Sequence, residues 1–175
     1  MKKEKVLHFA QRAIIAAMYV ALTYTQEVFF PTSTSMAVQF RMSEALMMLC
    51  TFSPTAIYGL TLGCALSNII NVSALPLDVI LGSFATFLAA VCMYKTRNIR
   101  FKKLPVLSAL MPAVFNGVII GLEIELFYIE GSFKFTSFLI QAGCVALGEL
   151  VVLYTLGLIL YEIMVKRGLD NRFFK

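Results

Sequence analysis

Four stretches of the chain are apolar at helical length: residues 9–30, 77–94, 104–128 and 135–165. Each is long enough to cross a hydrocarbon core about 30 Å thick. The stretch from Ser43 to Asn71 is ambiguous. Read as one helix, it makes three crossings before the basic segment 95–103 and leaves that segment's positive charges outside. Split at Phe52-Ser53-Pro54, it makes two crossings and keeps them inside. Proline starts a helix well and sits badly within one, so Pro54 favours the split. Two helices are therefore expected, over about 43–52 and 54–72. The first is short for a full span and must be tilted or sheltered by protein. The pattern predicts an all-α integral membrane protein: a six-transmembrane-helix bundle, both termini cytoplasmic, with residues 1–175 forming a single membrane domain.

Composition agrees. Of the 175 residues, 59% are hydrophobic and 14% charged, which suits a membrane domain better than a soluble core. The first apolar segment has no A-x-A site and reads as a spanning helix, not a cleaved signal. The net charge of +5 is distributed unevenly. Lys2, Lys3, Lys5 and Arg12 lie at the start, four basic residues at or after Lys166, and five within 95–103. Only Arg41 and Lys134 fall elsewhere, so the positive balance reports topology. No basic stripe is interleaved with aromatics as nucleic-acid binding would need. Cys50, Cys64, Cys92 and Cys144 all sit in apolar segments without a C-x-x-C pair. They read as small buried hydrophobes, with no metal site and no cofactor implied.

Under this topology the acidic residues sort by depth. Glu27, Glu44, Asp78, Glu123, Glu125 and Glu130 fall at or near outer helix ends, and Glu149 sits about halfway along the last helix. Asn68 and Asn71 are three apart and share a face; Asn116 and Glu123 are seven apart and share another. Polar groups from separate helices thus reach one level of the outer membrane half, as a small-molecule pocket in a bundle requires. Each also has a plainer role. Glu27, Glu125 and Glu130 suit the headgroup level. Asp78, after Pro76-Leu77, suits a helix cap. Ser43 and Glu44 suit a helix start, where a first-turn carboxylate favours the macrodipole, and Arg41 suits a pair with Glu44. Four polar residues together, Glu44, Asn68, Asn71 and Glu123, are less easily assigned to structure alone. Along the first helix Ala13, Ala17 and Ala21 recur every four residues, a flat strip for close helix approach, either within the bundle or with another protein.

Chemistry-bearing motifs are absent. The chain has no G-x-x-x-x-G-K-[ST] phosphate loop, no H-E-x-x-H and no G-x-S-x-G. Nor does it show two similar halves, as many secondary carriers do. No catalytic set is visible. A small binder without its own motor needs partners to transport anything.

Three segments carry a resemblance: Gln39-Phe40-Arg41-x-Ser43-Glu44-Ala45-Leu46, Gly59-Leu60-x-x-Gly63-Cys64-x-x-x-Asn68, and Leu77-Asp78-x-x-x-Gly82-Ser83-x-x-Thr86. Together they resemble the queuosine-precursor (QueT) family, substrate-binding subunits of energy-coupling-factor transporters. The likeness is closest from Ala13 to about Met93 and looser beyond. It implies the six-helix fold of such subunits and assembly, in the cell membrane, with a transmembrane coupling subunit and two cytosolic ATPases. It also implies a deazaguanine substrate, with the loop before the second helix resembling a lid. In related subunits an alanine strip on the first helix contacts the coupling subunit, and Ala13, Ala17 and Ala21 match that pattern.

A deazaguanine presents N–H donors that a carboxylate accepts in pairs, and asparagine amides meet its carbonyl. The substrate-binding set expected on these grounds is Gln39, Phe40, Arg41, Glu44, Asn68, Asn71, Asp78, Asn116 and Glu123. Phe40 and Tyr58 are candidate stacking partners. Two other functions compete: a self-sufficient secondary carrier or exporter acting as an oligomer, and a membrane scaffold. A deazaguanine that co-purifies supports the first reading, and ATP-independent uptake in liposomes supports the carrier.

Overall fold

The computed structural model describes residues 2–30, 38, 40–71 and 76–174. Among these the chain is helical apart from turns and one isolated antiparallel bridge between Phe101 and Leu104. Helix α1 runs Lys2–Phe29, followed by a 3₁₀-helix at Met42–Thr51. Next come α2 (Pro54–Ile70), α3 (Pro76–Thr96) and α4 (Val106–Glu123), the last continuing through a π turn at Ile124–Tyr128. Helix α5 (Phe135–Val152) leads through a second π turn, Leu153–Gly157, into α6 (Leu158–Lys166) and the short α7 (Leu169–Phe174).

Among the described residues four helical stretches are long and apolar enough to cross a membrane: Lys3–Phe29, Pro76–Thr96, Val106–Tyr128 and Phe135–Lys166. These correspond to the four apolar runs. The expected break at Pro54 is present: Ser53 caps α2 by accepting the Thr55 N–H at 3.2 Å, and Pro54 takes the first helical position.

The segment before that break is tighter than an α-helix. Its 10 residues in 3₁₀ geometry reach roughly 20 Å, well short of the membrane core. Nine of them are buried, because the 3₁₀-helix lies in the middle of the bundle and touches all of α1 to α6. Met47, Met48 and Cys50 are wholly enclosed there. A long 3₁₀ run is uncommon; here the surrounding helices, not lipid, receive its side chains.

Consecutive helices α1 to α5 lie side by side. One end of the bundle gathers His8 against Thr55 (3.3 Å), Phe52 stacked on Tyr161 (5.0 Å) and Thr96 beside Ser108 (3.1 Å). All three basic clusters fall at that end. The other end joins Gln26 to Phe40, Asn68 to Asp78 and Tyr128 to Asp78. Outward faces remain apolar, with Phe9, Ile69, Ile80, Val118, Ile140 and Ile159 among the exposed side chains, as lipid contact requires.

Two expectations are refined. Helix α1 begins at Lys2, before the apolar run, since charged residues such as Lys3 and Glu4 extend a helix into water without being able to enter lipid. Asp78 lies in the first turn of α3, which already starts at Pro76, so it is not the capping residue.

Helices α4 and α5 pack tightly at Gly121. A Cβ added there would lie 2.6 Å from the Cα and 2.8 Å from the backbone nitrogen of Ala142. Backbone cannot step aside as a flexible side chain can, so overpacking outweighs any gain in helix propensity. Gly121→Ala is expected to lower the thermal midpoint in detergent by a destabilisation of about 1–3 kcal/mol. The control is Gly143→Ala, where an added Cβ meets nothing within 4 Å. That variant should be neutral or slightly more stable.

Candidate functional site

The 3₁₀ geometry sets up the site. At three residues per turn, positions three apart eclipse, so Arg41, at the helix cap, and Glu44 stand one above the other. Both line a small cavity whose other walls are Gly82 and Thr86 of α3, Asn116 and Ile120 of α4, and Val145 and Glu149 of α5. The cavity offers about 20 Å³ for the centres of water-sized molecules, room for about one water.

Polar groups converge here from four elements. The Glu44 side chain is 2% exposed, and its Oε1 accepts a hydrogen bond from the Tyr19 hydroxyl of α1. Asn116 Nδ2 donates to Glu149 Oε1 at 2.6 Å. Each of these residues keeps one buried polar atom without a protein partner: Glu44 Oε2, Asn116 Oδ1, Glu149 Oε2 and Arg41 Nε. Arg41 is the nearby cation, and its charge acts on Glu44, Glu149 and Glu123. Buried polar atoms are nearly always hydrogen-bonded, and leaving one unpaired costs about 1–3 kcal/mol. Four such atoms, three acceptors and one donor, belong to residues that line one cavity.

A second polar group adjoins the first. Glu123 interacts with Asp78 and keeps its own Oε1 unpartnered. The Tyr128 hydroxyl donates to Asp78 Oδ2 at 2.6 Å. Asn68 Nδ2 donates to the Asp78 carbonyl at 3.0 Å, and Thr86 Oγ1 donates to Cys64 Sγ at 3.3 Å. Gly82 makes room for Asn68, because a Cβ at 82 would lie 2.8 Å from its amide nitrogen. Gly59 and Gly63 instead let α2 approach α1, where an added Cβ would lie 2.9 Å from the Arg12 carbonyl oxygen and 2.8 Å from Tyr19 Cβ.

Of the sequence-expected residues, Arg41, Glu44 and Asn116 line the cavity. Asp78, Glu123 and Asn68 form the adjoining group. Asn71 lies apart, in a wider groove between α1 and α2 with Thr23, Tyr24, Glu27 and Ser67. The Phe40 side chain is 40% exposed while its carbonyl accepts from Gln26 Nε2. Tyr58 sits near the opposite end, under the Arg12 guanidinium at 4.7 Å. Gln39 lies outside the described residues. Glu125 is held locally, accepting the Lys134 N–H at 2.9 Å. Ala13, Ala17 and Ala21 are exposed along α1.

Absent from the expected set were two cavity-lining residues, Thr86 and Glu149, and two that hydrogen-bond the segment bearing Arg41 and Glu44, Tyr19 and Gln26. Glu149 carried the clearest signal, a carboxylate midway along an apolar helix, which is costly without a purpose.

Among the described residues no group of three or more His, Cys, Asp or Glu is arranged to hold a metal ion. What the arrangement offers chemically is a set of hydrogen-bond acceptors beside one guanidinium.

The sequence model of the QueT transporter matches residues 9–166. The chain belongs to the QueT transporter family. Over 163 residues it is 33% identical to the Queuosine precursor transporter QueT of Lactococcus lactis subsp. cremoris (strain MG1363), covering 88% of this chain and 90% of that relative. No solved structure matches. Membership makes this QueT-family chain a transporter and not an enzyme, and its apolar helices are those of a multi-pass membrane protein. The family resemblance drawn from residues 39–46, 59–68 and 77–86 is the family shown.

Proposed function

We propose that this chain is the substrate-binding subunit of an energy-coupling-factor importer in the cell membrane, capturing a queuosine precursor of the deazaguanine class from outside. The observation that carries the reading is the set of unpartnered atoms around the central cavity: Glu44 Oε2, Glu149 Oε2, Asn116 Oδ1 and Arg41 Nε. Carboxyl oxygens accept ring and exocyclic N–H groups, and the guanidinium donates to a ring carbonyl. The Lactococcus relative is a queuosine precursor transporter, and a precursor of the deazaguanine class would offer these groups. An aminomethyl group on the ring would suit the excess of carboxyl groups over cations.

A deazaguanine is far larger than one water, so the cavity walls move apart to admit it. Two π turns, Ile124–Tyr128 after Glu123 and Leu153–Gly157 after Glu149, adjoin the site. Such turns are frequent at functional sites, and they make α4 and α5 the supple walls.

The chain lacks a phosphate loop, so ATP-driven import requires a transmembrane coupling subunit and two ATPases. The exposed alanine face of α1 suits the first of these. All six apolar helices cross the membrane in this reading, the 3₁₀-helix being sheltered, with both termini and the 95–103 turn in the cytoplasm.

Topology is tested by thiol labelling. Asn98→Cys should resist a membrane-impermeant reagent in intact cells and react after lysis, while Glu130→Cys should react in both. Labelling of both from outside would overturn the six-crossing arrangement. Function is tested in proteoliposomes: uptake of the deazaguanine should need coupling subunit, ATPases and ATP together. Uptake by the chain alone would establish a self-sufficient carrier.

A further inference from the structure

The inner face of α1 carries three polar residues at helical spacing, Tyr19, Thr23 and Gln26. Positions i, i+4 and i+7 fall on one face. Each bonds to the short segment that opens the binding site. The Tyr19 hydroxyl donates to Glu44 Oε1. Thr23 Oγ1 lies 2.8 Å from Ser43 Oγ as donor. Gln26 bonds on both sides of Arg41: its Nε2 donates to the Phe40 carbonyl, and its Oε1 accepts the Met42 N–H at 2.6 Å. The Gln26 side chain is 5% exposed.

These bonds bracket Arg41 on both sides. Arg41 has extended backbone geometry at the helix cap, and its capping role adds no side-chain hydrogen bond of its own. Residues 40 and 42 set the backbone from which its guanidinium extends to the cavity it lines. Gln26 suits that task because one amide supplies both a donor and an acceptor. Phe40 offers a carbonyl and Met42 an N–H, so neither leucine nor glutamate can serve both.

We propose that Gln26, with Thr23 and Tyr19, forms a positioning ladder that fixes Arg41 and Glu44 over the cavity, and that Gln26 governs ligand affinity without touching the ligand. The inference rests on the reading of the cavity as the substrate site. It assigns the polar face of α1 to the site, while Ala13, Ala17 and Ala21 on the opposite face remain available to a partner. One helix then touches both the ligand-binding segment and the coupling surface.

The test uses the purified chain in detergent and the aminomethyl deazaguanine precursor as probe. Gln26→Leu removes both brackets and should weaken binding by roughly tenfold to a hundredfold, the equivalent of two ordinary hydrogen bonds. Thr23→Val removes one rung with little change of volume and should give a smaller loss in the same direction, which keeps the test open if Gln26→Leu folds poorly. The deciding readout is a double-mutant cycle. With Arg41→Gln in place, adding Gln26→Leu should cost little more, because the side chain it positions is gone. Full additivity would overturn the proposal. Hydrogen exchange at the Met42 amide gives a ligand-free arm and should accelerate in Gln26→Leu. If the parent chain binds no deazaguanine, the functional reading falls, and exchange at Met42 alone decides whether Gln26 holds the segment. If the parent binds and Gln26→Leu matches it in affinity and exchange, the ladder is wrong.

Discussion

Glu44→Gln is expected to weaken binding of a deazaguanine by about tenfold to a hundredfold, with little change in thermal stability. The substitution preserves size. It also preserves the side chain's hydrogen bond to α1, since a glutamine Oε1 still accepts the Tyr19 hydroxyl. What changes is the other atom. Glu44 Oε2 is a buried acceptor without a protein partner beside the cavity, and the amide places an N–H₂ there. A ligand N–H that met an acceptor now meets a donor. Charged hydrogen bonds contribute about 1.5–3 kcal/mol, and about 1.4 kcal/mol is a factor of ten. Glu130→Gln is the control, on an exposed residue outside the helices, and should bind as the parent does. Titration calorimetry on the purified variants measures both. Equal affinity in Glu44→Gln and parent would make Glu44 a structural residue.

The largest effect on transport is expected at Ala17. Ala17→Trp should abolish ATP-dependent uptake while the isolated chain binds its ligand unchanged. Ala13, Ala17 and Ala21 lie on the exposed face of α1, and the packed face is occupied by Ile15, Ala16 and Tyr19. Within lipid, close helix approach relies on small side chains, and an indole at the centre of the strip holds a partner helix away. Because Ala17 faces away from the cavity, binding should survive. Loss of binding together with uptake would show that the strip supports the bundle itself.

Much of the fold was legible because membranes restrict what a chain can do. Backbone polar groups must be satisfied within each crossing segment, so long apolar runs can only be helices, and the four long ones are where the runs lie. The break at Pro54 followed from proline chemistry and from the five basic residues of 95–103. The 3₁₀ geometry of Met42–Thr51 was not legible. After Glu44 the segment is apolar on every side, so no periodicity separates one helix type from another, and its tightness comes from burial among six neighbours.

The site was legible in part for a related reason. Arg41 and Glu44 announce themselves as charges three residues apart in an apolar setting, and the 3₁₀ turn brings them together. Glu149 was visible as an isolated charge, but its pairing with Asn116 spans 33 positions and depends on how α4 and α5 pack. Asn71 and Tyr58 carry suitable chemistry and sit elsewhere, because helical phase and depth, not residue type, decide what reaches a cavity. Gln26 lacks charge, and only its two backbone partners across the loop reveal what it holds.

The central claim is that the cavity enclosed by Arg41, Glu44, Asn116 and Glu149 is the deazaguanine site. Its most direct measurement is mass spectrometry of the small molecules released when the purified chain is denatured, comparing the parent with a Glu44→Gln, Glu149→Gln double variant. A deazaguanine near one equivalent from the parent and little from the folded double variant is the predicted result. Equal amounts from both would contradict the claim and move the site elsewhere in the bundle.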